Sequence, residues 1–202
     1  MINRSREMAS PSEPQSRQAR AVFLDRDGVI NEEVNYLRHA DDFRLLPRSA
    51  RAIRELRRAG FKVIVVTNQS GLARGYFSPE DLVAVHERMR SELARARTGL
   101  DGIYICPHHP DESCLCRKPG VLLFQQAAQE LGLSLVGSYF VGDKLTDLTP
   151  GKALGGRTVL VLTGYGQREV EVAREQGFAP DHVAADLYAA AKWIIDEDSA
   201  GL

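Results

Sequence analysis

The chain has almost no excess charge, no long apolar run and only three cysteines, and each shortage removes a class of protein. Twenty-six lysines and arginines face 27 aspartates and glutamates, leaving a formal net charge of -1. The basic excess that marks a nucleic-acid binder is absent. The longest apolar runs, such as Val63 to Val66, are strand-sized, far short of the roughly 20 residues a membrane-spanning helix needs. Residues 1–19 are polar and rich in Ser, Pro, Gln and Arg. They lack the apolar centre of a secretory signal and read as a disordered tail, with Met8 as an alternative start. The cysteines are odd in number and all lie between positions 106 and 116, which argues against a disulfide framework and for a reducing, cytoplasmic setting. No internal repeat occurs. What remains is one domain, expected over residues 20–202.

Strand and helix signals alternate along that domain. Strands are expected at 21–25, 62–67, 102–106, 138–142 and 158–162. Helices are expected near 48–59, 79–97, 120–131, 147–155 and 168–175, with a last one from about 186. Such alternation predicts an α/β fold, a Rossmann-like parallel sheet with helices on both faces. Ser78-Pro79-Glu80-Asp81 supplies an N-cap, a proline in the first turn and two acids there. Leu82, Val85, Met89 and Leu93 then mark one apolar face. Gly60 and Gly132 stand where helix C-caps belong.

Chemistry-bearing residues gather where the strands should end. Ala21-Val22-Phe23-Leu24 runs into Asp25-Arg26-Asp27-Gly28, placing two carboxylates at the carboxyl edge of a parallel sheet, where ligands bind. Residues two apart share a direction as a strand exits, so the pair is expected to converge on one ligand. Two close carboxylates repel unless a cation or proton lies between them. A hard ion such as Mg²⁺ suits oxygen ligands; a solvated acidic turn is the plainer alternative. The second strand ends in Thr67-Asn68-Gln69-Ser70-Gly71, polar side chains fit to hold phosphate oxygens. Cys106, His108, Cys114 and Cys116 form a Cys₃His set suited to a closed structural Zn²⁺ site, with His109 as rival ligand. Arg117-Lys118-Pro119 adds a fork and a point charge that can neutralise phosphate. Gly142-Asp143 ends another strand, and Asp147 follows at a helix start. Asp143 is a further candidate Mg²⁺ ligand; Asp147 either supports it or caps the helix.

Taken in order, Asp25-x-Asp27-Gly28, Thr67, Lys118 and Gly142-Asp143-x-x-x-Asp147 resemble the haloacid dehalogenase superfamily of aspartate-nucleophile phosphatases. The resemblance spans residues 21–165. Asn68 to Gly75, the cysteine loop with Arg117-Lys118-Pro119, and Thr163-Gly164-Tyr165-Gly166 are similar to the bacterial heptose bisphosphate phosphatase family. Gly120 and Val121 follow Pro119 directly, a short junction more like that of the histidinol-phosphate phosphatases. A catalytically silent phosphosugar-binding module is the reading from another class.

The resemblance implies a fold without a cap domain and a small phosphorylated sugar as substrate, with no nucleic-acid or membrane partner and a monomeric state. It implies Asp25 as nucleophile and Asp27 as general acid and base. Mg²⁺ would be held by the Asp25 and Asp143 carboxylates and the Asp27 backbone carbonyl. Thr67 and Lys118 would bind phosphoryl oxygens. Glu33, Val34, Asn35, Tyr36, Thr67, Asn68, Gln69, Ser70, Arg117, Lys118 and Lys144 would contact substrate.

Overall fold

The computed structural model describes residues 19–200. The tail expected over residues 1–19 therefore lies outside the described residues, except for Ala19, which opens the first strand. Six strands form one parallel sheet: β1 (Ala19–Leu24), β2 (Lys62–Asn68), β3 (Gly102–Cys106), β4 (Leu133–Gly142), β5 (Arg157–Val161) and β6 (His182–Ala184). Between and after them run α1 (Ser49–Arg58), α2 (Pro79–Arg95), α3 (Leu122–Leu131), α4 (Leu145–Ala153), α5 (Gly166–Glu175) and α6 (Leu187–Ala200). A single 3₁₀ turn, Ala40–Asp42, precedes α1.

Period-two alternation divides the core. Val22 and Leu24 of β1, Val63 and Val65 of β2, and Tyr139 and Val141 of β4 face one side, buried with Leu56 of α1, Met89 of α2 and Ile194 of α6. Ala21, Phe23, Ile64, Val66 and Phe140 face the other, against Leu123, Phe124 and Ala127 of α3. There the rings of Phe23, Phe124 and Phe140 meet with centroids 5.0 to 5.3 Å apart. Each such side chain contributes about 1.5–3 kcal/mol by leaving water. Ser78 and Asp81 form the N-terminal capping box of α2, and Gly132, at φ 64°, ends α3 in the left-handed conformation.

Strand order is β3-β2-β1-β4-β5-β6. The order reverses between β1 and β4, which opens a crevice outside the carboxyl ends of β1, β2 and β4. Two strands depart from expectation. The sixth, His182–Ala184, is only three residues long and pairs with β5, too short to show a period. β4 begins at Leu133 rather than 138, because Leu133 and Ser134 pair with Ala19 and Arg20 before the register shifts. Within that irregularity the Ser138 hydroxyl accepts the Ala21 N–H at 2.9 Å and donates to the Ser134 carbonyl. The helices keep their expected places with ends shifted by a residue or two; α4 starts at Leu145, not 147, and carries Pro150 internally. Among the described residues no helix is long and apolar enough to cross a membrane.

Candidate active site

Three adjacent strands deliver the central groups. β1 runs into Asp25, β2 ends in Thr67 and Asn68, and β4 runs into Asp143. Carboxylate oxygens of Asp25, Asp143 and Asp147 lie within 4.8 Å of one another. Glycines make that crowding possible. A Cβ on Gly28 would stand 2.2 Å from an Asp143 oxygen, and one on Gly164 2.1 Å from it. Both glycines have positive φ, 78° and 57°, so a side chain there would be strained as well as blocked.

Lys118 is 4% exposed, and its ammonium bridges the cluster. Nζ lies 2.9 Å from Asp25 Oδ1, 2.7 Å from Asp147 Oδ1 and 2.6 Å from the Val66 carbonyl. Burial opposes its charge, but Asp147 and Asp25 outweigh burial and raise its pKa. Asp147 caps the helix, its Oδ2 accepting the Lys144 N–H at the start of α4, while its Oδ1 pairs with Lys118. Burial pushes Asp147 up to about 6 even so. Asp143 is more exposed to repulsion. Its Oδ2 accepts the Tyr165 N–H at 2.8 Å, whereas its buried Oδ1 has no partner among the described residues. Burial, then the charges of Asp147 and Asp25, push its pKa up to about 8. An orphaned carboxylate oxygen beside two more carboxylates is a donor set that fits a hard divalent cation.

Asp27 does not join that carboxylate cluster, although it lines the same cavity as Asp25. The chain leaves extended geometry after Leu24, and Gly28 turns it at φ 78°. The Asp27 carboxylate is gripped instead by Arg26, with Nε to Oδ1 at 3.1 Å and Nη2 to Oδ2 at 2.8 Å. Asn31 Nδ2 donates to Oδ1 at 2.9 Å and Gln69 Nε2 to Oδ2 at 3.1 Å. Burial would raise the Asp27 pKa, but the Arg26 charge and these hydrogen bonds win and hold it below the usual carboxylate value. Only its backbone carbonyl remains for the metal role anticipated for it.

A cavity of about 640 Å³ opens over these groups. Asp25, Asp27, Thr67, Lys118, Arg117 and Lys144 line it, as do Glu33, Asn35, Tyr36 and Ser70. Val34 is not among its lining residues; it borders the adjoining depression with Arg38 and Tyr76. Asn68 and Gln69 reach the cavity but use their amides internally. Asn68 exchanges hydrogen bonds with the Lys118 backbone at 3.0 and 3.2 Å, pinning that loop to β2. Gln69 Nε2 also donates to Thr67 Oγ1 at 2.9 Å, which leaves the threonine hydroxyl proton free for an acceptor in the cavity. One guanidinium nitrogen of Arg117 is buried without a partner among the described residues.

Two residues here had no role assigned to them from the sequence. Arg26 occupies the spacer between the aspartates. Tyr165 anchors Asp143 through its N–H and sets its ring 4.1 Å from Lys144 Nζ, and that lysine also lies 3.8 Å from Glu33. The run Thr163-Gly164-Tyr165-Gly166, which carries part of the resemblance, is the signal that points to Tyr165.

The cysteine loop forms a second cluster. Sulfur–sulfur distances are 3.6 Å for Cys106–Cys114 and 3.8 Å for Cys114–Cys116; His108 Nδ1 lies 3.6 Å from Cys106 and 3.1 Å from Cys116. A tetrahedral ion with bonds of about 2.3 Å to sulfur calls for edges of about 3.8 Å, so the donor set fits Zn²⁺. His109 is turned away, its Nδ1 on the Asp111 N–H at 3.3 Å. Burial pushes the Cys106 thiol up to about 12, a penalty that a bound cation would offset.

A Rossmann-like parallel sheet with carboxylates and a buried lysine at its reversal point is the class of site that suits a cation and a phosphoryl group, and sequence comparison places the chain in a family. The chain belongs to the haloacid dehalogenase-like hydrolases; residues 115–190 match the HAD-hydrolase-like family model. Its relatives are more particular. The D-glycero-beta-D-manno-heptose-1,7-bisphosphate 7-phosphatase of Yersinia pestis is 40% identical over 184 residues, covering 87% of this chain and 89% of its own. The D-glycero-D-manno-heptose-1,7-bisphosphate 7-phosphatase of Thermosynechococcus vestitus is 40% identical over 86% of this chain and 94% of its own. A crystal structure of the D,D-heptose 1,7-bisphosphate phosphatase of B. bronchiseptica, complexed with magnesium and phosphate, matches with a TM-score of 0.81. It is 38% identical and covers 88% of this chain and 99% of that one.

Proposed function

We propose that this chain is a Mg²⁺-dependent phosphomonoesterase that removes the 7-phosphate of D-glycero-D-manno-heptose 1,7-bisphosphate through an aspartyl-phosphate on Asp25. The observation that carries it is the Asp25 carboxylate, which follows a central strand, lies 2.9 Å from Lys118, clusters with Asp143 and Asp147, and lines the cavity together with Asp147.

The phosphoryl group enters with its oxygens toward Lys118 Nζ and the free Thr67 hydroxyl. Asp25 attacks phosphorus, the phosphorus–oxygen bond to the sugar breaks, and the leaving oxygen takes a proton from Asp27. The negative phosphoryl group favours that protonated form as it arrives beside Asp27. Water then attacks the same phosphorus, its proton passes to Asp27, and the Asp25 oxygen is released with inorganic phosphate. Positioning and charge supply most of the acceleration in such a transfer. Mg²⁺, when held by Asp25, Asp143 and the Asp27 backbone carbonyl, would neutralise charge between nucleophile and phosphoryl group. Arg117, which lines the cavity, is suited to the sugar or its second phosphate. Zn²⁺ on Cys106, His108, Cys114 and Cys116 would be structural, since four protein ligands leave no vacant position. We take the protein to act as a cytoplasmic monomer on a small phosphorylated sugar, without nucleic-acid or membrane partner.

Steady-state comparison of heptose bisphosphate with histidinol phosphate tests the substrate, with Asp25→Asn as control for the nucleophile. A higher kcat/KM for the heptose and a loss of about 10⁴-fold or more in Asp25→Asn are expected. A preference for histidinol phosphate would overturn the sugar assignment, and unchanged turnover in Asp25→Asn would overturn the mechanism.

A further inference from the structure

The residue between the two aspartates is the most buried large side chain in the site. Arg26 has no exposed surface, an uncommon position for a guanidinium, which is seldom fully buried unless paired. Its whole fork is accounted for. Nε and Nη2 grip both oxygens of Asp27, and Nη2 also meets Gln69 Oε1 at 3.2 Å. From behind, Nη1 lies 3.2 Å from Nε2 of His86, a half-buried residue of α2 that touches neither the cavity nor the carboxylate cluster. A guanidinium nitrogen donates and cannot accept, so at this contact Arg26 Nη1 donates to an unprotonated His86 Nε2. Burial and the Arg26 charge hold the imidazole at a pKa of about 4, which keeps that acceptor in place at neutral pH.

We infer that Arg26, braced by His86, is a positioning residue that fixes the Asp27 carboxylate for the water-activating half of the reaction. This rests on the aspartyl-phosphate reading above. Every contact on the two Asp27 oxygens comes from a donor: Arg26 twice, Asn31 and Gln69. That pattern suits a carboxylate waiting to receive a proton from water. The planar fork fixes the carboxylate plane as well as its position, which a single ammonium cannot do. In the water step the oxygen–hydrogen bond of water breaks, its proton moves to an Asp27 oxygen, and the hydroxyl oxygen bonds to phosphorus as the Asp25 oxygen departs. A misoriented base slows this step. It leaves the first step intact for any substrate whose leaving group needs no proton.

p-Nitrophenyl phosphate is such a substrate, and rapid-mixing kinetics with it separate the two steps in the Mg²⁺-loaded enzyme. In Arg26→Lys and Arg26→Met we expect one rapid equivalent of nitrophenol, followed by turnover slowed about 10²-fold. Acid quench should trap phosphate on Asp25. In His86→Leu the same burst should appear with a slowing of about three- to tenfold; this variant keeps the fork and so covers the case in which the Arg26 variants fail to fold. A variant that slows without a burst has lost both steps alike and overturns the positioning role, as does an Arg26→Lys enzyme as fast as the parent. If instead no acyl phosphate forms on Asp25 in the parent or in any of the slowed variants, the underlying mechanism fails, and that outcome is distinct from either.

Discussion

The two clusters of ligand-type residues are built on opposite plans. The carboxylates of Asp25, Asp143 and Asp147 hang from the ends of β1 and β4 and the first turn of α4, all anchored in the sheet and its cores. Lys118 already offsets part of their charge. The Cys106 loop has regular structure only where Cys106 closes β3; residues 107–121 contain no helix or strand. Cys114 and Cys116 pack against the α3 side of the core, but Leu115 between them is 78% exposed. The comparison teaches where each ion acts. A cation at the sheet edge would adjust the charge of a shape that the fold already supplies, whereas one in the loop would create the shape.

The largest effect should therefore come from the sulfur cluster. Cys114→Ser removes one ligand without touching a strand, and it should lower Tm by about 10 °C, the equivalent of several kcal/mol for a chain of this size. Metal analysis of the parent protein, purified without chelator, should find one zinc per chain. A zinc-free parent, or a Cys114→Ser variant melting with the parent, would erase the contrast between the clusters.

A smaller, pH-dependent effect is expected at the carboxylates. Asp143 ionises near 8 in the folded chain against an ordinary value of 3.8, so between those values the folded state binds more protons than the unfolded one. Stability from this group is complete below the unfolded pKa and is lost as pH rises through about 8. Asp147, raised to about 6, acts in the same direction at lower pH. His86 works the opposite way, but only between about 4 and its ordinary 6.5. Above pH 6.5 the Asp143 effect stands alone among these three. Metal-free protein should lose Tm from pH 6.5 to 8, and millimolar Mg²⁺ should restore more of it at pH 8. Thermal melts at both pH values check this; an equal gain from Mg²⁺ at both would place the ion elsewhere.

The contrast also bears on what the chain discloses before folding. Strand ends were legible because an apolar run that stops at Asp25, Thr67 or Asp143 has one physical meaning in a parallel sheet. The Cys₃His set was legible because its ligands lie within eleven residues, so spacing nearly dictates proximity. Side-chain direction beyond a strand end was not. Asp25 and Asp27 share the cavity as expected, but the grip of Arg26 on the Asp27 carboxylate was not foreseen. Asn68 and Gln69 have the chemistry of substrate contacts, but chain positions 50 and 42 residues away, at Lys118 and Asp27, claim their amides. Partners so remote in sequence leave no local trace. β6 escaped for the simpler reason that three residues cannot display alternation.

The smallest expected effect isolates a contact the sequence did not announce. Tyr165 plays two parts, and they separate cleanly by atom. Its backbone N–H holds Asp143, while its ring lies under Lys144 with the ammonium 4.1 Å from the centroid. Tyr165→Leu keeps the first and deletes the second. Burial disfavours the Lys144 charge, but Asp143 and Glu33 more than compensate and raise its pKa, so the lysine stays cationic without the ring and loses only its alignment. A cation–π contact of about 0.5–1 kcal/mol then translates into a KM for the sugar phosphate raised about two- to fivefold, with kcat unchanged. Tyr165→Phe, which preserves the aromatic face, should restore the parent KM. If kcat falls together with kcat/KM in Tyr165→Leu, the ring supports Asp143 and the reacting groups rather than the cavity-lining lysine. The rigid and ion-dependent halves of the site would then meet at this residue.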